Sequence, residues 1–103
     1  MSTLTIALIQ TSLKWLDKEA NLAAFSNKIA DIDKSVELIL LPETFATGFA
    51  ISLDCAEPEN GQVLAWLIAT AKSTNAVVAG SVLVEQGNKK ANRFYWVWPN
   101  GEV

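Results

Sequence analysis

The chain has 103 residues, half of them hydrophobic and 18% charged, with a net charge of −3 and a pI near 4.8. This length predicts one domain at most, and this composition a globular chain rather than a disordered one. The acidic balance argues against a nucleic-acid partner, because Lys89-Lys90 is only a short pair and no basic cluster accompanies it.

Leu4-Thr5-Ile6-Ala7-Leu8-Ile9-Gln10 reads as a largely buried strand. Lys14 to Lys18 forms a connection, with Asp17 placed as a helix N-cap. Leu22, Phe25, Ile29 and Ile32 then recur at steps of three and four, which predicts a helix with one apolar face; Asn21, Ser26 and Lys28 fall elsewhere. Leu38 to Leu41 is a second short apolar strand. Thr44 to Asn60 reads as a loop, and loops this long are usually functional or disordered. Asn60-Gly61 starts a second helix whose apolar face is Val63, Leu64, Leu67, Ile68 and Ala71, and Ser73-Thr74-Asn75 closes it. Ala76 to Val84 is a third strand, in which Gly80 suggests a close backbone approach. After the turn at Gln86-Gly87-Asn88 a fourth strand runs from Ala91 to Trp98, followed by a turn at Pro99-Asn100-Gly101.

The predicted order is β-α-β-α-β-β. Strand-helix-strand units imply parallel pairing with right-handed crossovers, and the last two strands an antiparallel hairpin. The alternating face of Phe94, Trp96 and Trp98 needs something to pack on. The chain stops just past a turn that should feed another strand, so the expectation is a single partial domain over 1–103, cut mid-fold or completed by another chain. A chain this short buries only about 60–65% of the surface its unfolded form exposes.

The residue inventory narrows the chemistry. There is no histidine, which removes Ser-His-Asp and Cys-His catalysis and any His-based metal site. One cysteine cannot form an internal disulfide and suggests a reducing compartment. No secretory signal and no apolar run of transmembrane length is present, so a soluble cytoplasmic protein with no membrane partner is expected. No glycine-rich phosphate loop follows the first strand, where Gln10-Thr11-Ser12-Leu13 stands instead.

Glu43 stands out. In Leu38-Ile39-Leu40-Leu41-Pro42-Glu43-Thr44-Phe45 an apolar run ends at a proline and a carboxylate follows. Strand ends of open α/β sheets are where ligands usually bind. From the residues alone, a functional carboxylate and a structural end-of-strand acid are equally good readings.

The block Leu41-Pro42-Glu43-Thr44-Phe45, followed by Thr47-Gly48-Phe49, resembles the first catalytic block of the nitrilase (carbon-nitrogen hydrolase) superfamily. The flanks agree: a first strand ending in Gln10, then Trp15 and Asn21, Ala56-Glu57 before the second helix, Gly80-Ser81, Asn92-Arg93 and Pro99-Asn100-Gly101 follow the family's order. The Thr-Gly-Phe version is most similar to the ω-amidase-like branch, which acts on amides of short 2-oxo dicarboxylic acids.

The resemblance implies an α/β fold, the N-terminal part of an αββα sandwich, whose members commonly dimerise sheet to sheet. It implies a small carboxamide substrate, no metal or organic cofactor, and a Glu-Lys-Cys triad in which Glu43 is the general base. The family's lysine follows the Pro-x-Gly turn and its cysteine lies later still, so neither position falls within these residues. Lys89 and Lys90 precede the turn, and Cys55 lies in the long loop, so none of the three matches. The chemistry depends on the missing pair. A free Glu has a pKa near ~4.3 and a thiol near ~8.5, so proton transfer from thiol to Glu is uphill by roughly 6 kcal/mol. A neighbouring cation must help close that gap, and the chain alone is expected to be inactive.

Phe45 and Phe49, which follow the strand end, either line a substrate pocket or pin the loop to the core. Glu57 reads most simply as an acid favoured at a helix entry. An alternative to the enzyme reading is a non-catalytic relative acting as an interaction module with a partner chain.

Overall fold

The computed structural model describes residues 3–48 and 56–103. Its elements are β1 (Ile6–Leu8), α1 (Lys18–Ala30), β2 (Leu38–Leu40), β3 (Glu57–Pro58), α2 (Gln62–Thr74), β4 (Val77–Gln86) and β5 (Lys89–Val97). All five strands share one mixed sheet. β1 and β2 pair in parallel, as do β2 and β4, while β4 and β5 form the expected antiparallel hairpin.

Local chemistry explains both helices. Asp17 caps α1 by accepting from the Ala20 amide, and Leu22, Phe25 and Ile29 turn their shared face to the core. Gly61 opens α2, and Asn75 closes it in the left-handed conformation at φ 53°. Both helices lie on one face of the sheet. Ile39, Val78, Val82, Val84, Tyr95 and Val97 meet Phe25, Phe45, Val63 and Leu67 there in one core. Each large apolar side chain in this layer contributes about 1.5–3 kcal/mol by burial.

The other face of the sheet is open. Strand alternation puts Ile6, Leu8, Leu38, Leu40, Val77, Ala79, Phe94 and Trp96 on it. Leu38, Val77 and Ala79 form a small cluster in its middle with Leu40 packed against it, and the flanks are exposed: Leu8 by 72%, Phe94 by 61% and Trp98 by 48%. Trp96 and Trp98 pack edge to face with centroids 5.9 Å apart.

Two expectations need correction. The first strand is not largely buried: its ladder is three residues long, and Ile6 and Leu8 face the open side. Its apolar run belongs to an edge strand with one uncovered face. The stretch Thr44 to Asn60 is not all loop, because β3 pairs in parallel with Val84 and Glu85 of β4. The order is therefore β-α-β-β-α-β-β. A two-residue strand has no readable periodicity, and Pro58 argues against a strand except at an edge.

Candidate active site

β5 pairs with β4 from Val78 to Gln86 and so occupies one whole edge of that strand. The opposite edge is shared: β2 takes Val77 to Ala79, and β3 takes Val84 and Glu85. Between them Gly80 to Leu83 has no strand partner on that side among the described residues, and the turn after β2 fills the break. The Leu41 amide donates to the Ala79 carbonyl at 2.9 Å, and the Thr44 amide donates to Ser81 Oγ at 2.8 Å. Glu43 lies between those two anchors.

The turn is held in an unusual conformation. Thr44 has φ 45°, which a β-branched residue rarely adopts. Its carbonyl accepts from the Thr47 and Gly48 amides, and its hydroxyl donates to the Glu43 carbonyl at 2.8 Å. Such strain persists only where the surroundings over-determine it, and it clusters at functional sites. Phe45 supplies much of that constraint. It is fully buried, in an edge contact with Phe25 at 5.5 Å and a tilted contact with Trp66 at 5.6 Å. A Cβ at Gly80 would lie 3.1 Å from the Phe45 ring and from Leu41 Cβ, so the close approach read from Gly80 is to this turn.

The Glu43 side chain itself is exposed. Its Oε2 accepts from Asn92 Nδ2 at 3.3 Å. Asn92 shares its face with Phe94 and Trp96, so the carboxylate sits on the open side of the sheet. In the sequence Asn92 carries only its place in the family's order, with no sign of this contact. The alternation from Phe94 back to Asn92 could have found its face, though not its partner, which is 49 residues away.

Of the other candidates, Phe45 packs into the helix-side core and does not reach the face that carries Glu43. Phe49 and Cys55 lie outside the described residues. Lys89 and Lys90 are exposed at the start of β5. Glu57 is buried: Oε1 accepts from the Val63 amide at 2.8 Å, and Oε2 pairs with Lys18 Nζ at 2.9 Å. It satisfies an orphan donor at the start of α2, the helix-entry role expected of it. On the surface, the half-buried Arg93 guanidinium and the Gln86 amide hold the exposed Glu59 carboxyl below the usual carboxylate range, and Glu59 raises Arg93 in turn. Among the described residues no cluster of acids, Cys or His could hold a metal ion, and no helix is long and apolar enough to cross a membrane. A cleft of about 590 Å³ between the C-terminal ends of α1 and α2, lined by Ile29, Asp33, Thr70 and Thr74, does not include Glu43.

A mixed sheet with both helices on one face, an open opposite face and an acid at the broken edge of its central strand fits the half-sandwich that the sequence resemblance implies. A CN-hydrolase superfamily protein from Xanthomonas campestris, whose structure carries an arsenic adduct in the active site, has the same fold with a TM-score of 0.92 and 32% identity, over 99% of this chain and 39% of that one. An amidase from Nesterenkonia sp. shares the fold at a TM-score of 0.81 and 23% identity, over 96% of this chain and 40% of that one. These correspondences place the chain as the N-terminal part of an αββα sandwich.

The chain belongs to the carbon-nitrogen hydrolase family, whose pattern it matches over residues 5–103. It is 37% identical over 103 residues to the omega-amidase YafV of Escherichia coli, and 39% identical over 104 residues to that of Yersinia enterocolitica. The whole chain aligns in both cases and spans 40% of each relative's length.

Proposed function

We propose that this chain is the N-terminal part of an amidohydrolase that cleaves the carbon-nitrogen bond of a small ω-amide of a 2-oxo acid, with Glu43 as general base. The observation that carries the reading is the placement of Glu43: an exposed carboxylate on the open sheet face, oriented by Asn92, on a strained turn that Ser81 and Phe45 hold in place. Family membership and similarity to omega-amidases supply the reaction class.

In the proposed reaction Glu43 takes the proton of a cysteine thiol supplied from outside these residues. The thiolate adds to the amide carbon, and the carbonyl π pair moves to oxygen. Collapse of that intermediate expels ammonia, protonated by the acid that the base has become, and leaves a thioester. Water, deprotonated by the same carboxylate, then releases the carboxylic acid and regenerates the thiol. A lysine beside the thiol would lower its pKa and help stabilise the oxyanion. Glu43 alone offers no covalent route, so the isolated chain should not turn over amides. One partial domain over 1–103 accords with this reading.

A second reading, an interaction module paired with another chain, is favoured by the bare apolar face of Ile6, Leu8, Phe94, Trp96 and Trp98. The coding sequence beyond Val103 separates the two. A lysine soon after the Pro-x-Gly turn and a later cysteine support the enzyme. A stop codon, matched by the intact mass and with no such partner encoded nearby, supports the module.

A further inference from the structure

Asn21 is 97% buried on the first turn of α1, yet it contacts two connections rather than the core. Its Oδ1 accepts from the Lys14 amide at 2.8 Å. Its Nδ2 donates to the Lys14 carbonyl at 2.8 Å and to the Ala46 carbonyl at 2.7 Å. Lys14 belongs to the connection before α1, and Ala46 to the turn that follows Glu43. The Leu16 amide donates to the Thr47 carbonyl at 2.8 Å, joining the same two segments. The Trp15 ring covers Gly48, where an added Cβ would lie 3.2 Å from it.

Both segments are strained. Leu16 has φ 57° and Thr44 φ 45°, and among the described residues the other non-glycine positions with positive φ are asparagines. Asn21 bonds both segments at once. Its carboxamide is suited to this because it offers an acceptor and two donors on one rigid plane, and all three bonds are made. Ser81 fixes the front of the Glu43 turn through the Thr44 amide; Asn21 fixes the back.

We propose that Asn21 is a positioning residue that holds the Glu43 turn against the start of α1. The inference rests on the reading of Glu43 as the functional carboxylate. Asn21 acts through the Lys14 amide and the Lys14 and Ala46 carbonyls, not through the Glu43 side chain. The test is residue-resolved hydrogen exchange on the full chain with Asn21→Ala and Asn21→Asp. Loss of two buried donors should lower protection of the Leu16, Thr47 and Gly48 amides roughly tenfold or more, with Val82 and Tyr95 unchanged. The carboxyl ¹³C signal of Glu43 should shift with them.

Asn21→Asp keeps the shape and the acceptor but sets a carboxylate against two carbonyl oxygens. Its turn protection should fall at neutral pH and partly recover on acidification, when the protonated carboxyl can donate once. Unchanged protection at the three amides overturns the proposal, and so does a uniform loss that includes β4 and β5. If Asn21→Ala fails to fold, absence of recovery in acidified Asn21→Asp overturns it. Glu43→Gln, assayed for turnover in the gene product that carries these residues, tests the underlying reading separately. Retained turnover would sink that reading while leaving the exchange result intact.

Discussion

Replacing Gly80 with alanine sets two physical effects against each other. Gly80 does not have a positive φ, so an alanine there is conformationally acceptable. Reduced freedom of the unfolded chain alone would then stabilise the protein by about 0.4–1 kcal/mol. The new methyl, however, would lie 3.1 Å from Leu41 Cβ and from two carbons of the Phe45 ring, tighter than ordinary van der Waals contact. Phe45 is fully buried between Phe25 and Trp66 and has little room to retreat. Overpacking of this kind typically costs about 1–3 kcal/mol. The net expectation is destabilisation by about 1–2 kcal/mol, or roughly 5–15 °C in Tm for a chain of this size. Thermal denaturation by circular dichroism reads it directly. A second substitution, Phe45→Leu, should recover part of the loss from Gly80→Ala, because the contact it relieves is the one that opposes the methyl. A Gly80→Ala chain as stable as the parent would refute the claim that this glycine exists to admit the Glu43 turn.

Further outcomes follow from the same structure. Glu57→Ala leaves the Val63 amide without its acceptor while Lys18 can still turn to water; it should cost about 2–4 kcal/mol in urea denaturation, whereas Glu57→Gln keeps the cap and should cost less than half as much. Equal losses for the two would contradict the capping role. Asp17→Ala should destabilise by about 1 kcal/mol through loss of the N-cap of α1, and no change in the urea midpoint would argue against it. Glu59 should titrate below the ordinary carboxylate value of about 4.3 in a ¹³C carboxyl experiment, and Arg93→Leu should bring it back up. A depressed folded value means that its stabilising contribution is present above the unfolded pKa and is lost as pH falls through the folded one. A Glu59 midpoint indifferent to Arg93 would exclude that pair as the cause.

Parts of this molecule were legible in the sequence because they depend on local chemistry. The two apolar helix faces, the Asp17 cap, the Asn75 stop and the hairpin around Gly87 all follow from spacing and residue type over a few positions. Glu43 was conspicuous because a proline and the end of an apolar run isolate it. Other features depend on distant partners and leave no local trace. β3 is two residues long and exists because Val84 and Glu85 offer a free edge. Asn21 falls off the apolar face of α1, yet it is buried because two backbone segments come to it. The exposure of Ile6 and Leu8 was equally hidden, since an apolar strand looks the same whether or not its second face is covered.

Glu43 is proposed as the base of an amide-cleaving site that these residues hold in part. Its most direct test is ammonia release from the monoamide of a short 2-oxo dicarboxylic acid by the gene product that carries these residues, with Glu43 and with Glu43→Gln. Glu43→Gln should lower turnover by a factor on the order of 10⁴ or more, as for other members of catalytic triads, and the homogeneous 103-residue chain should release no ammonia. Undiminished turnover by Glu43→Gln would contradict the assignment of the base. Release by the 103-residue chain alone, abolished by Glu43→Gln, would contradict the claim that the site is incomplete without a lysine and a thiol from elsewhere.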